Sequence, residues 1–500
     1  MGAVLSPPRE RPTGDQPGGS KGFVSRILRS TMALTSSQPS LSIVSTVRLG
    51  LFQGSLGFLA VIFAGMLNRV MISELGFPGL LVGGALAFEQ FVAPSRILFG
   101  QLSDTRPLAG RHRTPYIWLG SALFCGLAML VVPVVFRLAA ARELGDEAAI
   151  TLGTVLMCAL FAAYGLAVSM AATPFLALVI DRTHERERPR AVGIIWCMLT
   201  VGIVVGAVVI SRSLRGLDGV TDPLVLEEVL SRFMVRAALA VMGLTLLATW
   251  GIEPAVTAST RAAGASTSPA REDGISMAQA WRLITSSRQV AVFFLFLVLF
   301  TLALFIQDPI LESYGADVFA MPIAATASLN AFWGVGTLLG LVLAGWWIVP
   351  RLGKFATARL GCQLILASMV LLILTGLVGE VPLLQAVLLL FGLASGIGTN
   401  SALCLMLDLT LPEAAGTFVG VWGLAQAFAR ASAKLIGGGL LDLGRAIIPG
   451  QGPFLPYALV LGTAALIALA ALRVLVAVNV HRFRDDTTRQ LTQVLTTELG

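Results

Sequence analysis

Long apolar runs separated by short polar stretches set the pattern of this chain. Twelve such runs lie at 49–67, 79–99, 115–136, 150–180, 191–210, 233–252, 290–306, 321–349, 361–378, 383–407, 417–441 and 457–479. A helix crosses the hydrocarbon core of a bilayer with roughly 20 apolar residues, so the pattern predicts an all-α membrane protein of twelve transmembrane helices. Run 290–306 is short for this purpose and 150–180 is long. Before the first run, residues 1–46 are rich in Pro, Gly and Ser. They lack a short hydrophobic core followed by a small-residue cleavage site, and are expected to form a disordered tail instead of a signal peptide.

Composition excludes the soluble alternative. Of 500 residues, 56% are hydrophobic and only 13% charged, whereas a soluble globule carries about 25% charged residues to cover its surface. The net charge of +7 comes with no basic block suited to a nucleic acid. Positive residues are distributed unevenly between the two sides. With the amino terminus inside, the inner segments hold 23 Lys and Arg and the outer ones 7. The positive-inside rule therefore predicts that both termini are cytoplasmic.

The longest polar interruption after the first 46 residues is 254–288, with six runs on each side. The expected organisation is a tail (1–46), an N-terminal six-helix half (47–253), a cytoplasmic linker (254–288), a C-terminal six-helix half (289–480) and a second tail (481–500). Within the linker, Ile275, Ala278, Trp281, Leu283 and Ile284 would share one face of an interfacial helix over 275–289. The halves also match each other. Asp181 and Asp408, Thr183 and Thr410, Val192 and Val419, and Gly193 and Gly420 all share an offset of 227. LNRVMISELG at 67–76 lies over IQDPILESYG at 306–315 at an offset of 239. Two pseudo-symmetric six-helix halves around a cytoplasmic linker are the plan of major facilitator transporters.

After the second run, GQLSDTRPLAGRHR at 100–113 resembles the signature loop of that superfamily, with three extra residues between Asp104 and Gly110. The second-half counterpart, GWWIVPRLGK at 345–354, has Val349 where the acid would stand. Gly100, Asp104, Gly110, Arg111, Arg113, Asp181, Arg182 and Asp408 are the candidate cytoplasmic latch, a reading the Asp-plus-Gly framework favours over ordinary inside charge on the arginines.

Polar side chains inside the runs are costly unless they pair or reach water. Glu89 and Arg430 fall at similar depth on the second and eleventh runs. Gln426, Arg430 and Lys434 share one helix face by their i, i+4 spacing. An approach of Glu89 to Arg430 across the half-interface is expected, as a packing ion pair or as a substrate or proton site. Arg96, near a helix end, snorkels. Asn330 and Asn400 are deep and uncharged, the pattern of interhelical hydrogen bonding. G-x-x-x-G spacings at 202/206, 336/340, 392/396 and 416/420 read as close packing, and the glycines at 437–439 as a loosening of the eleventh helix. The five cysteines lie in apolar runs as small hydrophobes, and the three histidines in polar stretches, so no metal or haem centre is expected. Walker-type and H-E-x-x-H motifs are absent, and no catalytic residues are assigned.

Six stretches carry a closer resemblance: RLGLFQGSLGF (48–58), LNRVMISELG (67–76), FVAPSRILFGQLSDTRP (91–107), HRTPYIW (112–118), FIQDPILESYGADVF (305–319) and TFVGVWGLAQAFAR (417–430). Over roughly 45–480 the chain resembles the bacteriochlorophyll-delivery family of PucC and LhaA type, and its GQLSD…HRTPY spacing is closer to the cyanobacterial-type members. The resemblance implies a photosynthetic bacterial inner membrane or thylakoid location. It implies chlorophyll or bacteriochlorophyll as a transiently held pigment, and light-harvesting or photosystem polypeptides, with chlorophyll synthase, as partners. With no histidine in a run, a pigment magnesium would take an oxygen ligand. The candidate cavity residues are Asn68, Glu89, Gln90, Gln307, Asn330, Asn400, Gln426, Arg430 and Lys434. An assembly factor that delivers pigment is the leading reading. A proton-coupled transporter of a small amphipathic solute using Glu89, and a structural antenna subunit, are the alternatives.

Overall fold

The computed structural model describes residues 42–183, 188–217, 220, 222–253, 288–408, 415–447, 449–450 and 452–477. Among them regular structure is helical, apart from one isolated bridge between Leu108 and Arg111. In chain order the helices are α1 (Ile43–Glu74), α2 (Gly79–Phe91), α3 (Ser95–Thr105), α4 (Thr114–Leu144), α5 (Glu147–Asp181), α6 (Arg188–Ser213) and α7 (Pro223–Thr249). There follow α8 (Arg288–Phe305), α9 (Leu311–Phe319), α10 (Ile323–Leu352), α11 (Lys354–Val378), α12 (Val381–Asp408), α13 (Ala415–Ile447) and α14 (Phe454–Ala477). Both tails and the linker, with its expected interfacial helix, lie almost wholly outside the described residues.

Each of the twelve apolar runs falls on helix. Nine helices among the described residues are long and apolar enough to cross a membrane. The second run is divided into α2 and α3 by a turn at Val92–Pro94, and the seventh ends at Phe305 before α9 begins. Local chemistry sets several ends. Ser42, Asp146 and Asp222 accept hydrogen bonds from Ser45, Ala149 and Leu224 N–H and so cap α1, α5 and α7. Left-handed Gly145 and Gly379 end α4 and α11. Helix α7 starts earlier than run 233–252 because Glu227, Glu228 and Arg232 lower the hydropathy without breaking the helix; Glu228 and Arg232 pair at i, i+4, 3.3 Å apart.

Neighbour relations repeat between the halves. α1 packs on α6, α2 on α5, and α4 on α5 and α7; correspondingly α8 packs on α13, α10 on α12, and α11 on α12 and α14. The halves meet along two equivalent seams, α2 with α13 and α6 with α10. This is the major facilitator arrangement. The G-x-x-x-G pairs serve these internal contacts: a Cβ on Gly336 would strike the Leu389 carbonyl, and one on Gly396 the Thr337 carbonyl. The 416/420 pair lies outside the described side chains. The Arg48 Nε bond to the Leu247 carbonyl (2.9 Å) sets the start of α1 beside the end of α7. That end is called the terminus face below, and the opposite end the far face.

The glycines at 437–439 depart from expectation. Helix α13 runs through them unbroken, and they form a packing notch. Gly437 lies against the Ile306 carbonyl and Gly438 against Gly79, so two backbones of the other elements approach within the space a side chain would occupy.

Candidate functional site

The two stretches related by the offset of 239 meet in the seam between the halves, toward the far face. In α1 the helix widens into π-helical turns at Ile62–Leu67 and Val70–Glu74, on either side of Asn68 and Arg69. In the equivalent stretch Pro309 lacks an amide hydrogen and pushes its predecessor out of the helical region. Helix α8 therefore stops at Phe305 and α9 starts at Leu311. Such distortions free carbonyls that a bilayer cannot hydrate. Side chains fill them: Asn68 Nδ2 donates to the Pro309 carbonyl (2.7 Å) and Gln307 Nε2 to the Leu304 carbonyl (2.9 Å).

Around this join lies a buried polar cluster. Arg69, 4% exposed, donates from Nη1 to Thr326 Oγ1 (2.9 Å) and pairs through Nη2 with Glu74 (3.1 Å). Glu312, 2% exposed, accepts a hydrogen bond from Asn330 Nδ2, and Gly65 of α1 leaves room for both side chains. Nearby, Asp308 faces Lys434 Nζ at 3.9 Å. Toward the far end Tyr457 donates to Asp317 (2.6 Å), which also pairs with Arg445 (3.1 Å). Buried side-chain atoms without a protein partner gather here too: Asn68 Oδ1, Gln307 Oε1, Glu312 Oε2, Ser313 Oγ and Arg69 Nε. Unsatisfied buried polar atoms are rare in native interiors and mark where a polar ligand, a water or a proton can be taken up. Asp442 ties the halves at the same end, accepting from the first amides of α2, Gly79 and Leu80, each at 2.7 Å.

Of the cavity residues read from sequence, Asn68, Gln307 and Asn330 enter this cluster, and Lys434 flanks it through Asp308. Glu89 and Arg430 lie on the neighbouring helices α2 and α13 but form no ion pair. Arg430 stands over the Phe305 ring at 4.5 Å; Asp308 and Glu89 both act on it electrostatically, and Asp308 is the carboxylate that faces Lys434. Depth along a helix is legible in a sequence; rotation about its axis is not. Gln90 and Gln426 are half-buried on those same helices. Asn400 lies elsewhere: its Nδ2 donates to the Leu341 carbonyl (3.4 Å), where α10 widens into a π-helical turn at Ala344–Ile348. Arg69, Glu74, Asp308 and Glu312 were missed because their charges fall where the apolar runs stop, which reads as loop. The signal that points to them is the repeat itself, in which both copies carry polar residues at matching places.

At the terminus face, Arg113 pairs with Asp104 and Asp181 (3.0 Å to the latter) and donates to Ser103 Oγ (2.7 Å), joining α3, α4 and α5. The three extra residues are absorbed by a tight turn: Leu108 and Arg111 exchange two backbone bonds of 2.9 Å, with Ala109 and Gly110 both at positive φ. Gly100 makes ordinary contact with Thr173. Arg111 and Arg182 form no ion pair among the described residues, and the Asp408 side chain lies outside them. An acid that sequence reading missed completes the cluster. Glu253, just beyond α7, accepts from the backbone N–H groups of His112 (2.7 Å), Arg113 (3.0 Å) and Thr114 (2.6 Å) and so caps α4. Partial burial raises its pKa, but the amide bonds from Thr114, Arg113 and His112 outweigh that and hold the carboxyl below its ordinary value. A lowered folded pKa gives stability that is present above the ordinary glutamate range and is lost as pH falls through the folded value. Glu253→Gln is expected to cost about 1 kcal/mol and to flatten this acid limb, which a series of unfolding midpoints from pH 7 to pH 3 checks.

The helical architecture defines the class: a membrane protein of the major facilitator fold. The chain aligns over 86% of its length with 98% of the crystal structure of the nucleoside transporter NupG, with a TM-score of 0.60 at 13% identity, a likeness of fold alone. The family described as PUCC protein matches residues 66–483. The chain is 32% identical over 440 residues to the "Bacteriochlorophyll synthase 44.5 kDa chain" of Rhodobacter capsulatus, covering 85% of this chain and 92% of that one. It is 29% identical over 415 residues to "Protein PucC" of Cereibacter sphaeroides, covering 82% and 86%. The chain belongs to the PucC family.

Proposed function

We propose that this protein is an integral membrane assembly factor that holds chlorophyll or bacteriochlorophyll and delivers it to light-harvesting or photosystem polypeptides. It acts without catalysing a reaction, in a photosynthetic membrane, and the charge asymmetry favours both termini on the cytoplasmic side. The observation that carries the reading is the near full-length match to a relative whose name ties it to bacteriochlorophyll. The seam fits the cargo: its unpartnered oxygens on Asn68, Gln307 and Glu312 are hard donors of the kind a pigment magnesium accepts. A neutral amide oxygen binds such an ion less firmly than a carboxylate, which suits a protein that hands its cargo on, with chlorophyll synthase upstream and antenna polypeptides downstream.

The test is an absorption spectrum of the protein purified in mild detergent from its own membrane. A near-stoichiometric red band, lost in an Asn68→Leu/Gln307→Leu variant and kept in Glu89→Gln, is the expected result. A colourless, folded wild type overturns the reading. The second reading, a proton-coupled transporter of a small amphipathic solute, is favoured by the buried Glu312 carboxyl at the seam and takes Glu312, not Glu89, as the proton carrier. Proton-driven uptake into proteoliposomes that Glu312→Gln abolishes would establish it in place of the first.

A further inference from the structure

On the outer surface of the first half, between α1, α6 and α7, lies a groove of about 430 Å³, within the range of small-molecule sites. Phe58, Val209 and Phe233 form apolar walls, and Ser213, Arg232 and Arg236 supply the polar lining. Arg232 and Arg236 are one helical turn apart and share a face of α7. Arg232 spends part of its guanidinium on Glu228 at 3.3 Å. Arg236 is exposed and has no ion pair or hydrogen bond among the described residues. It stands three residues inside the start of the apolar run 233–252 of α7 (Pro223–Thr249), close to the headgroup level of the far face. An arginine at the edge of a span turns to a paired acid, to water or to a lipid headgroup. This one turns outward beside an apolar slot, with Leu239, 63% exposed, next to it on the surface.

We propose that the groove is a binding site for one anionic phospholipid of the surrounding bilayer. Helix α7 packs mainly on α1 and α4 and carries exposed Arg236 and Ala240 at the groove, so a ligand arrives from the membrane. An unpaired guanidinium at the membrane edge favours a headgroup of net negative charge, since in a zwitterionic lipid the phosphate is already neutralised by its own ammonium, and an ester-only amphiphile has no anion to offer. Arg236 reaches along the helix toward Arg232 and the far face, Ser213 adds a hydroxyl to the phosphate, and an acyl chain lies along Phe58 and Phe233. Arg212 and Arg215, both exposed, flank Ser213 and Leu214 in sequence and keep the mouth of the groove positive.

The test is native mass spectrometry of the full chain released from nanodiscs of phosphatidylglycerol or phosphatidylcholine with identical acyl chains. Wild type is expected to retain one phosphatidylglycerol at about ten times the phosphatidylcholine occupancy, the scale of one charge-assisted hydrogen-bond set. Arg236→Gln should abolish the preference and Arg236→Lys should keep part of it. Equal unfolding midpoints of wild type and Arg236→Gln in phosphatidylcholine would show that the variant is folded. If Arg236→Gln does not fold, Ser213→Val takes its place, with a weakened preference expected. Equal retention of the two lipids by wild type, or undiminished preference in the folded variant, overturns the proposal. Displacement of the lipid by an acidic tetrapyrrole at equal concentration also overturns it, by assigning the groove to pigment.

Discussion

Arg69→Gln is expected to lower the stability of the folded protein by about 2 kcal/mol, the scale of losing charge-assisted hydrogen bonds from a buried side chain. The change removes the charge that neutralises Glu74 and the donor that reaches Thr326, and both partners remain in place at the join of the halves. Arg69→Lys keeps the charge and loses the planar fork, so it should recover only part of the loss. Unfolding in mixed micelles checks the series; a glutamine variant within about 0.5 kcal/mol of wild type, the level of an ordinary surface substitution, would remove this cluster from the account of what joins the halves.

A comparable loss is expected from Gly438→Leu. Any side chain at Gly438 collides with the backbone of Gly79, and at Gly83 with the Lys434 carbonyl, so the obstacle is main chain that no rotamer change relieves. Overpacking of this sort costs about 1–3 kcal/mol and occasionally more, and here it separates α2 from α13. Gly84→Ala is the internal control, because a Cβ there meets only the Leu435 side chain at 3.4 Å. Side-by-side unfolding midpoints should show a large fall for Gly438→Leu and almost none for Gly84→Ala.

The spans, the division into halves and the charged terminus-face cluster were legible because each depends on position along the chain. Asp104, Arg113 and Asp181 come together because they sit at neighbouring helix ends, which apolar run lengths define. Glu253 escaped notice since it lies 140 residues from Arg113, and no local pattern announces a carboxylate that caps a distant helix. The seam was half visible. Asn68 and Gln307 stand out as polar residues at the ends of runs, while Arg69 and Glu312, their close neighbours, have the pattern of loop. Hydropathy cannot distinguish a charge that leaves the membrane from one, such as Arg69, that is buried and donates to a hydroxyl, Thr326, of the other half. Glu89 and Arg430 do approach across the seam of α2 and α13 and act on each other electrostatically, but no ion pair forms: an α-helix turns 100° per residue, so a correct depth still leaves the facing direction open.

The cap that Asp442 places on α2 has a consequence for how the molecule is made. The acceptor for the Gly79 amide is 363 residues away in the chain, and α2 has no side-chain cap of its own. Contacts of such separation form late, after the entropy of closing a long loop has been overcome. During synthesis the first six crossings are inserted with the start of α2 still lacking its acceptors, until the eleventh crossing leaves the ribosome. The first half expressed alone should then be a substrate for quality-control proteolysis, and supplying the second half as a separate polypeptide should rescue it.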